Sequence, residues 1–208
     1  MNAKPSDLFL NVIEFFGILV PGALLCFLYR DLLFQKVGIS IANLDTTADW
    51  VETIVFSYIL GSVIFAISVP LNRLTRLSKK TKKYHQEVSK HVKLPVDKKP
   101  EAVFYHVFSY IRLNNSQAMG ELERQTAEYK LFRSLIVLFA VDLVISLITL
   151  KITLFRFFFQ VVMILFSFYR FDFLVDWTYR LAFDYYLLLI DNRKHNAKED
   201  DDKIEKEN

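Results

Sequence analysis

The stretch from Leu131 to Tyr169 limits what this chain can fold into more than any other. It contains LIVLFAVDLVISLITL from Leu135 to Leu150 and ITLFRFFFQVVMILFSFY from Ile152 to Tyr169, with neither Gly nor Pro in either run. Each run is close to the roughly 20 residues that cross a hydrocarbon core as a helix. One residue in the first run opposes this, Asp142 at its centre. A central Asp costs about 2.5–3.5 kcal/mol on insertion, while each Leu, Ile, Val or Phe contributes about 0.3–0.6 in favour. The apolar residues from Leu135 to Leu150 together outweigh that carboxyl. A single helix from 117 to 190 would be roughly 110 Å long, too long for one bilayer. The expectation is therefore a helical hairpin that turns near Lys151, with spans at about 133–150 and 153–170.

The rest of the chain agrees with this. A hydrophobic fraction of 53% and a positive mean hydropathy of +0.25 place the chain with polytopic membrane proteins rather than soluble domains. Residues 1–71 hold a first pair of spans, at about 8–29 and 54–71. The earlier one is interrupted by Pro21 and Gly22, which read as a packing kink or as a hinge. Proline removes a ladder hydrogen bond, and a membrane helix tolerates this when a neighbour supplies a partner. The later one, IVFSYILGSVIFAISVPL, is uninterrupted until Pro70. The N-terminus lacks the cationic segment and cleavage site of a signal peptide. The lone Cys26 excludes an intrachain disulfide.

Residues 72–130 form a basic insert. Its cations begin at Arg73 and include Lys79, Lys80, Lys82 and Lys83. Pro100 suits the first turn of a helix through EAVFYHVFSYIRL, NNS breaks that helix, and a further helix runs from Ser116 into the third span. The excess of Lys and Arg here places the insert in the cytoplasm, and four spans then put both termini there too. The fold class expected is all-α: four transmembrane helices, a cytoplasmic helical insert between spans 2 and 3, and an amphipathic C-terminal helix. That helix closes residues 131–192. Asp172, Asp176, Arg180 and Asp184 recur along one stripe, with Asp176–Arg180–Asp184 spaced for two ion pairs and Trp177 near the headgroups. Residues 193–208 read as a charged, disordered tail.

Chemistry within this frame is sparse. Ionisable groups deep in a span face protein or water and often mark a relay. Asp142 is the first candidate, and a hairpin places Gln160 at its depth, within hydrogen-bonding reach. Arg156 near the outer end is expected to snorkel, and Glu14 near the inner end to do likewise or meet Arg73. The lysines at 79, 80, 82 and 83 suit anionic headgroups or an acidic partner. Nothing pairs them with aromatic residues as in nucleic-acid modules, so direct nucleic-acid binding is disfavoured. The four histidines lack metal-ligand spacing, and there is no P-loop, GxSxG motif or nucleophile–base pair. No cofactor, no metal and no enzymatic activity are expected.

Two stretches, FFGILVPGALL at 15–25 and ERQTAEYKLFRSL at 123–135 leading into the third span, carry a resemblance. With the four-span layout, they resemble the small bacterial membrane proteins of phage-defence loci, such as the accessory proteins beside type VI (RNA-targeting) CRISPR nucleases. The resemblance implies a non-enzymatic inner-membrane accessory or effector, a homo-oligomer that modulates a partner nuclease or perturbs the membrane. The alternative is a small housekeeping transporter or ion-conducting protein that uses Asp142.

Overall fold

The computed structural model describes residues 15–30, 47–75, 77–91, 100–149 and 153–207, with side chains described as far as Arg193. Among them the chain is helical and contains no strand. A π-helical turn, Phe15–Leu19, leads into α1, Val20–Leu28. Then follow α2, Thr47–Ser68, a 3₁₀ turn over Val69–Leu74, α3, Lys79–His91, and α4, Pro100–Asn114. The last two helices are long: α5, Ser116–Ile148, and α6, Leu154–Glu207. Glu14, the proposed inner-end partner of Arg73, lies outside the described residues.

Among the described residues, three helical segments are long and apolar enough to cross a membrane: Asp49–Leu74, Ser116–Ile148 and Leu154–Arg193. The apolar helix Gly17–Leu28 is shorter than a full span. The break between α5 and α6 falls where the length argument put it. Thr149 closes α5, its N–H and hydroxyl both donating to Ile145 O at 2.9 Å. Thr153 starts α6 by accepting the N–H of Arg156 on Oγ1 at 3.2 Å, a hydroxyl N-cap that marks the helix start without a Gly or Pro. Asn115 does the same between α4 and α5, accepting the N–H of Ala118 at 3.0 Å.

The chain divides into two compact units. The first combines Met1–Thr75 with Glu123–Leu174. Its apolar side chains largely face outward: Ile54, Ile59 and Val63 on α2, and Phe155, Phe158, Val162 and Leu165 on α6, are exposed. Its interior includes polar groups, namely Ser57, Ser68, Thr126, Arg133, Ser134, Asp142, Ser146, Gln160 and Ser167. Between α1 and α2 the backbones nearly touch. A Cβ on Gly22 would lie 1.7 Å from Ser57 O, and one on Gly61 would lie 1.9 Å from Ile18 O. Gly22-xxx-Cys26 on one helix and Ser57-xxx-Gly61 on the other supply the small residues that such an approach requires.

Pro21 is buried at this contact. It cannot donate to Gly17 O four residues back, and Ser134 Oγ of α5 donates to that carbonyl at 3.0 Å. The carbonyl that Pro21 cannot serve is thus satisfied by a borrowed donor from α5.

The second unit combines Arg76–Leu122 with Val175–Asn208 and has the opposite polarity. Val88 of α3, Val103, Val107 and Ile111 of α4, Leu122 of α5 and Phe183 and Tyr186 of α6 form one buried apolar core. Phe104 stacks on Tyr179 with centroids 4.3 Å apart. Tyr179, Phe183 and Tyr186 of α6 thus form a wall of this core. Two sequence expectations are corrected here. Arg180 lies over the Trp177 ring at 4.3 Å, and Asp176 accepts the N–H of Ser78 at 2.7 Å, so the stacked Asp176–Arg180–Asp184 ion pairs do not form. The expected disordered tail is instead helical as far as Glu207. No Gly or Pro interrupts it.

Candidate functional site

Two pairs with i, i+4 spacing build the most concentrated polar site among the described residues. Asp142 and Ser146 share one face of α5, and Arg156 and Gln160 share one face of the first turns of α6. Asp142 lies six residues before the end of α5, about 9 Å along the helix. Because the Thr153 cap sets the start of α6, Arg156 and Gln160 fall opposite it. Tyr29, which caps the C-terminus of α1, closes the group.

The carboxylate receives three donors. Tyr29 OH donates to Oδ1 at 2.7 Å, and Arg156 Nη2 donates to the same oxygen at 2.8 Å. Gln160 Nε2 donates to Oδ2 and also faces Ser146 Oγ at 3.4 Å. Asp142 is 4% exposed and Gln160 1%, whereas the Arg156 side chain remains 40% exposed. The buried acid thus sits behind a half-exposed guanidinium, with most of its roughly four acceptor sites filled. Chemically this is a latch joining α1, α5 and α6.

The pairing of Asp142 with Gln160 was legible from the hairpin. Snorkelling of Arg156 is corrected: a charged donor fourteen residues from a buried carboxylate gains more by pairing than by reaching outward. Tyr29 was missed, since only the tertiary fold brings it to Asp142. Ser146 was missed too, although its spacing from Asp142 could have indicated it.

At the other end of the first unit, the buried Arg133 donates from Nε to Ser68 Oγ and from Nη1 to Asn72 Oδ1, each at 3.0 Å, with its guanidinium 4.6 Å from the Phe65 centroid. Compared with known proteins, the chain matches no family model, no curated protein and no solved structure. Its function must be read from the residues themselves.

The remaining candidates lie elsewhere. Pro21 and Gly22 are buried in the α1–α2 contact. Lys79, Lys80, Lys82 and Lys83 are exposed on the first turns of α3, while Thr81 and Val88 turn inward. Among the described residues, no three His, Cys, Asp or Glu side chains gather as metal ligands.

Proposed function

We propose that this chain is a non-enzymatic, multi-pass accessory or effector protein of the bacterial inner membrane in antiviral, CRISPR-type defence. In this reading four spans carry the first unit, the second unit and both termini are cytoplasmic, and the protein acts as an oligomer that modulates a partner nuclease or perturbs the membrane. The observation that carries the membrane part is the reversal of polarity between the units. One exposes Phe and Ile around serines, a glutamine and an ion pair, and the other gathers Phe104, Phe183 and Tyr186 into a buried core. Two surfaces of opposite polarity on one chain are adapted to two solvents. The defence assignment rests on the resemblance of FFGILVPGALL and ERQTAEYKLFRSL.

The latch at Asp142 supports a scaffold or effector over a carrier: Tyr29, Arg156 and Gln160 all donate to the carboxylate and leave little of its acceptor capacity for a transported ion. Its burial in a span still keeps the transporter reading as the competitor. Phage plating on cells that carry the chain together with a type VI CRISPR nuclease tests the proposal. Plating should change relative to the nuclease alone, and an unchanged efficiency removes the defence role. A pH-dependent flux in reconstituted vesicles, abolished by Asp142→Asn, would establish the carrier instead.

A further inference from the structure

The start of α3 is electrostatically unfavourable in isolation. Lys79, Lys80, Lys82 and Lys83 lie in its first turns, where the partial positive charge of the helix already disfavours cations. Lys79–Lys82, Lys79–Lys83 and Lys80–Lys83 are like-charged neighbours at i, i+3 and i, i+4, which repel along a helix. Nothing in the packing requires these lysines. The inward face of the helix is Thr81, Tyr84, His85 and Val88, with Tyr84 and Val88 part of the apolar core. The helix is held in place from behind: Ser78 Oγ accepts the Thr81 N–H at 3.2 Å and the Ser78 N–H donates to Asp176 at 2.7 Å. A rigidly capped helix therefore presents four unfavourably placed cations to solvent.

Position along the chain indicates what they meet. Lys79 follows Leu74, the last residue of an apolar segment of spanning length, by five residues. Even fully extended, that link reaches only about 17 Å. Near the same end of the first unit, Arg170 lies over Phe132 and Phe173, at 5.6 and 5.9 Å, and Lys130 lies over Phe65 at 6.0 Å. These are cations on aromatic rings, as at a membrane–water boundary.

We propose that the Lys79–Lys83 turn is a docking surface for anionic phospholipid headgroups of the leaflet that α2 leaves, so that α3 lies against the bilayer when acidic lipid is present. The inference rests on the membrane reading above. It commits to lipid over nucleic acid because the tether is short and because α3 itself carries no exposed Phe, Tyr or Trp beside the lysines. Each cation near an anionic surface contributes about fivefold to association, so four contribute on the order of several hundredfold.

The test uses the full chain reconstituted into vesicles, with Cys26→Ser and a fluorophore on Gln86→Cys, an exposed α3 position. Quenching by a headgroup-linked acceptor reports docking in phosphatidylcholine alone and with about 30% phosphatidylglycerol, enough to give a negative surface potential. Docking should appear only with phosphatidylglycerol and fade as salt rises from about 0.05 to about 0.5 M. It should weaken about fivefold for each Lys→Gln among the four and strengthen in Glu87→Lys. Equal quenching in both vesicles, or none lost in the fourfold Lys→Gln variant, overturns the proposal. So does displacement by a single-stranded RNA that binds the same lysines while acidic lipid has no effect. A chain that fails to incorporate into either vesicle would refute the membrane reading itself, a distinguishable outcome.

Discussion

Arg156→Met leaves Asp142 in place with its charged partner removed. The two sides of this pair are unequal: the carboxylate is 4% exposed, whereas the guanidinium side chain is 40% exposed. Removing one member of a buried pair costs about 3–5 kcal/mol, because the charge left behind stays desolvated. In Arg156→Met the stranded group is the buried carboxylate, so the cost should lie in that range. In Asp142→Leu the stranded guanidinium can reach water, and the losses are the acceptors of Tyr29 and Gln160. The cost should be lower, about 1–3 kcal/mol. The double variant Asp142→Asn/Arg156→Met should recover much of the first loss. The Asn carbonyl still accepts from Tyr29, and Gln160 can turn its amide to face the new N–H₂. For a chain of this size about 1 kcal/mol moves the midpoint by about 2–4 °C. Thermal unfolding of the detergent-purified protein should therefore fall by roughly 6–20 °C in Arg156→Met, with a clear partial return in the double variant. Equal midpoints for Arg156→Met and the double variant would mean no coupling, and the latch would be refuted.

Other consequences follow from the same contacts. Ser134→Ala should cost about 1–3 kcal/mol by stranding Gly17 O, and adding Pro21→Ala should restore part of it by returning the backbone donor. If the second substitution has no effect in the same melts, the borrowed-donor account fails. Gly22→Leu and Gly61→Leu should each force α1 from α2 and lower stability by about 1–3 kcal/mol or more; a disulfide-trapping assay across the helices should show reduced proximity, and unchanged trapping would contradict the close approach. Tyr185→Phe removes a 2.5 Å hydrogen bond to Glu121 in the second unit and should cost about 1.5–3 kcal/mol, as for a bond to a charged group, with helix content by circular dichroism unchanged.

What could be read without the structure was whatever depends on length and local chemistry. The helical class, the break near Lys151 and the Asp142–Gln160 pairing follow from the rise per residue and from the lack of turn residues. The uninterrupted run from Ser116 through α5 follows from the absence of a helix breaker. Sequence could not supply side-chain choices made by tertiary neighbours. Arg156 turned to Asp142, Tyr29 came from a helix more than a hundred residues earlier, and Arg180 preferred the Trp177 ring to two carboxylates. The aromatic stripe of α6 shows the same limit. Tyr179, Phe183 and Tyr186 would suit a membrane interface equally well, and only the presence of α3 and α4 against them shows that they line a core.

That distinction is the central claim, and two positions of nearly equal exposure test it. Val162 in the first unit is 59% exposed and Leu188 in the second is 57% exposed, both on α6. In vesicles carrying Cys26→Ser protein, a membrane-impermeant maleimide applied to the side bearing the second unit should label Leu188→Cys rapidly and leave Val162→Cys unreacted until detergent is added. Comparable labelling of the two thiols in intact vesicles would mean that water bathes both units, and the account would be wrong.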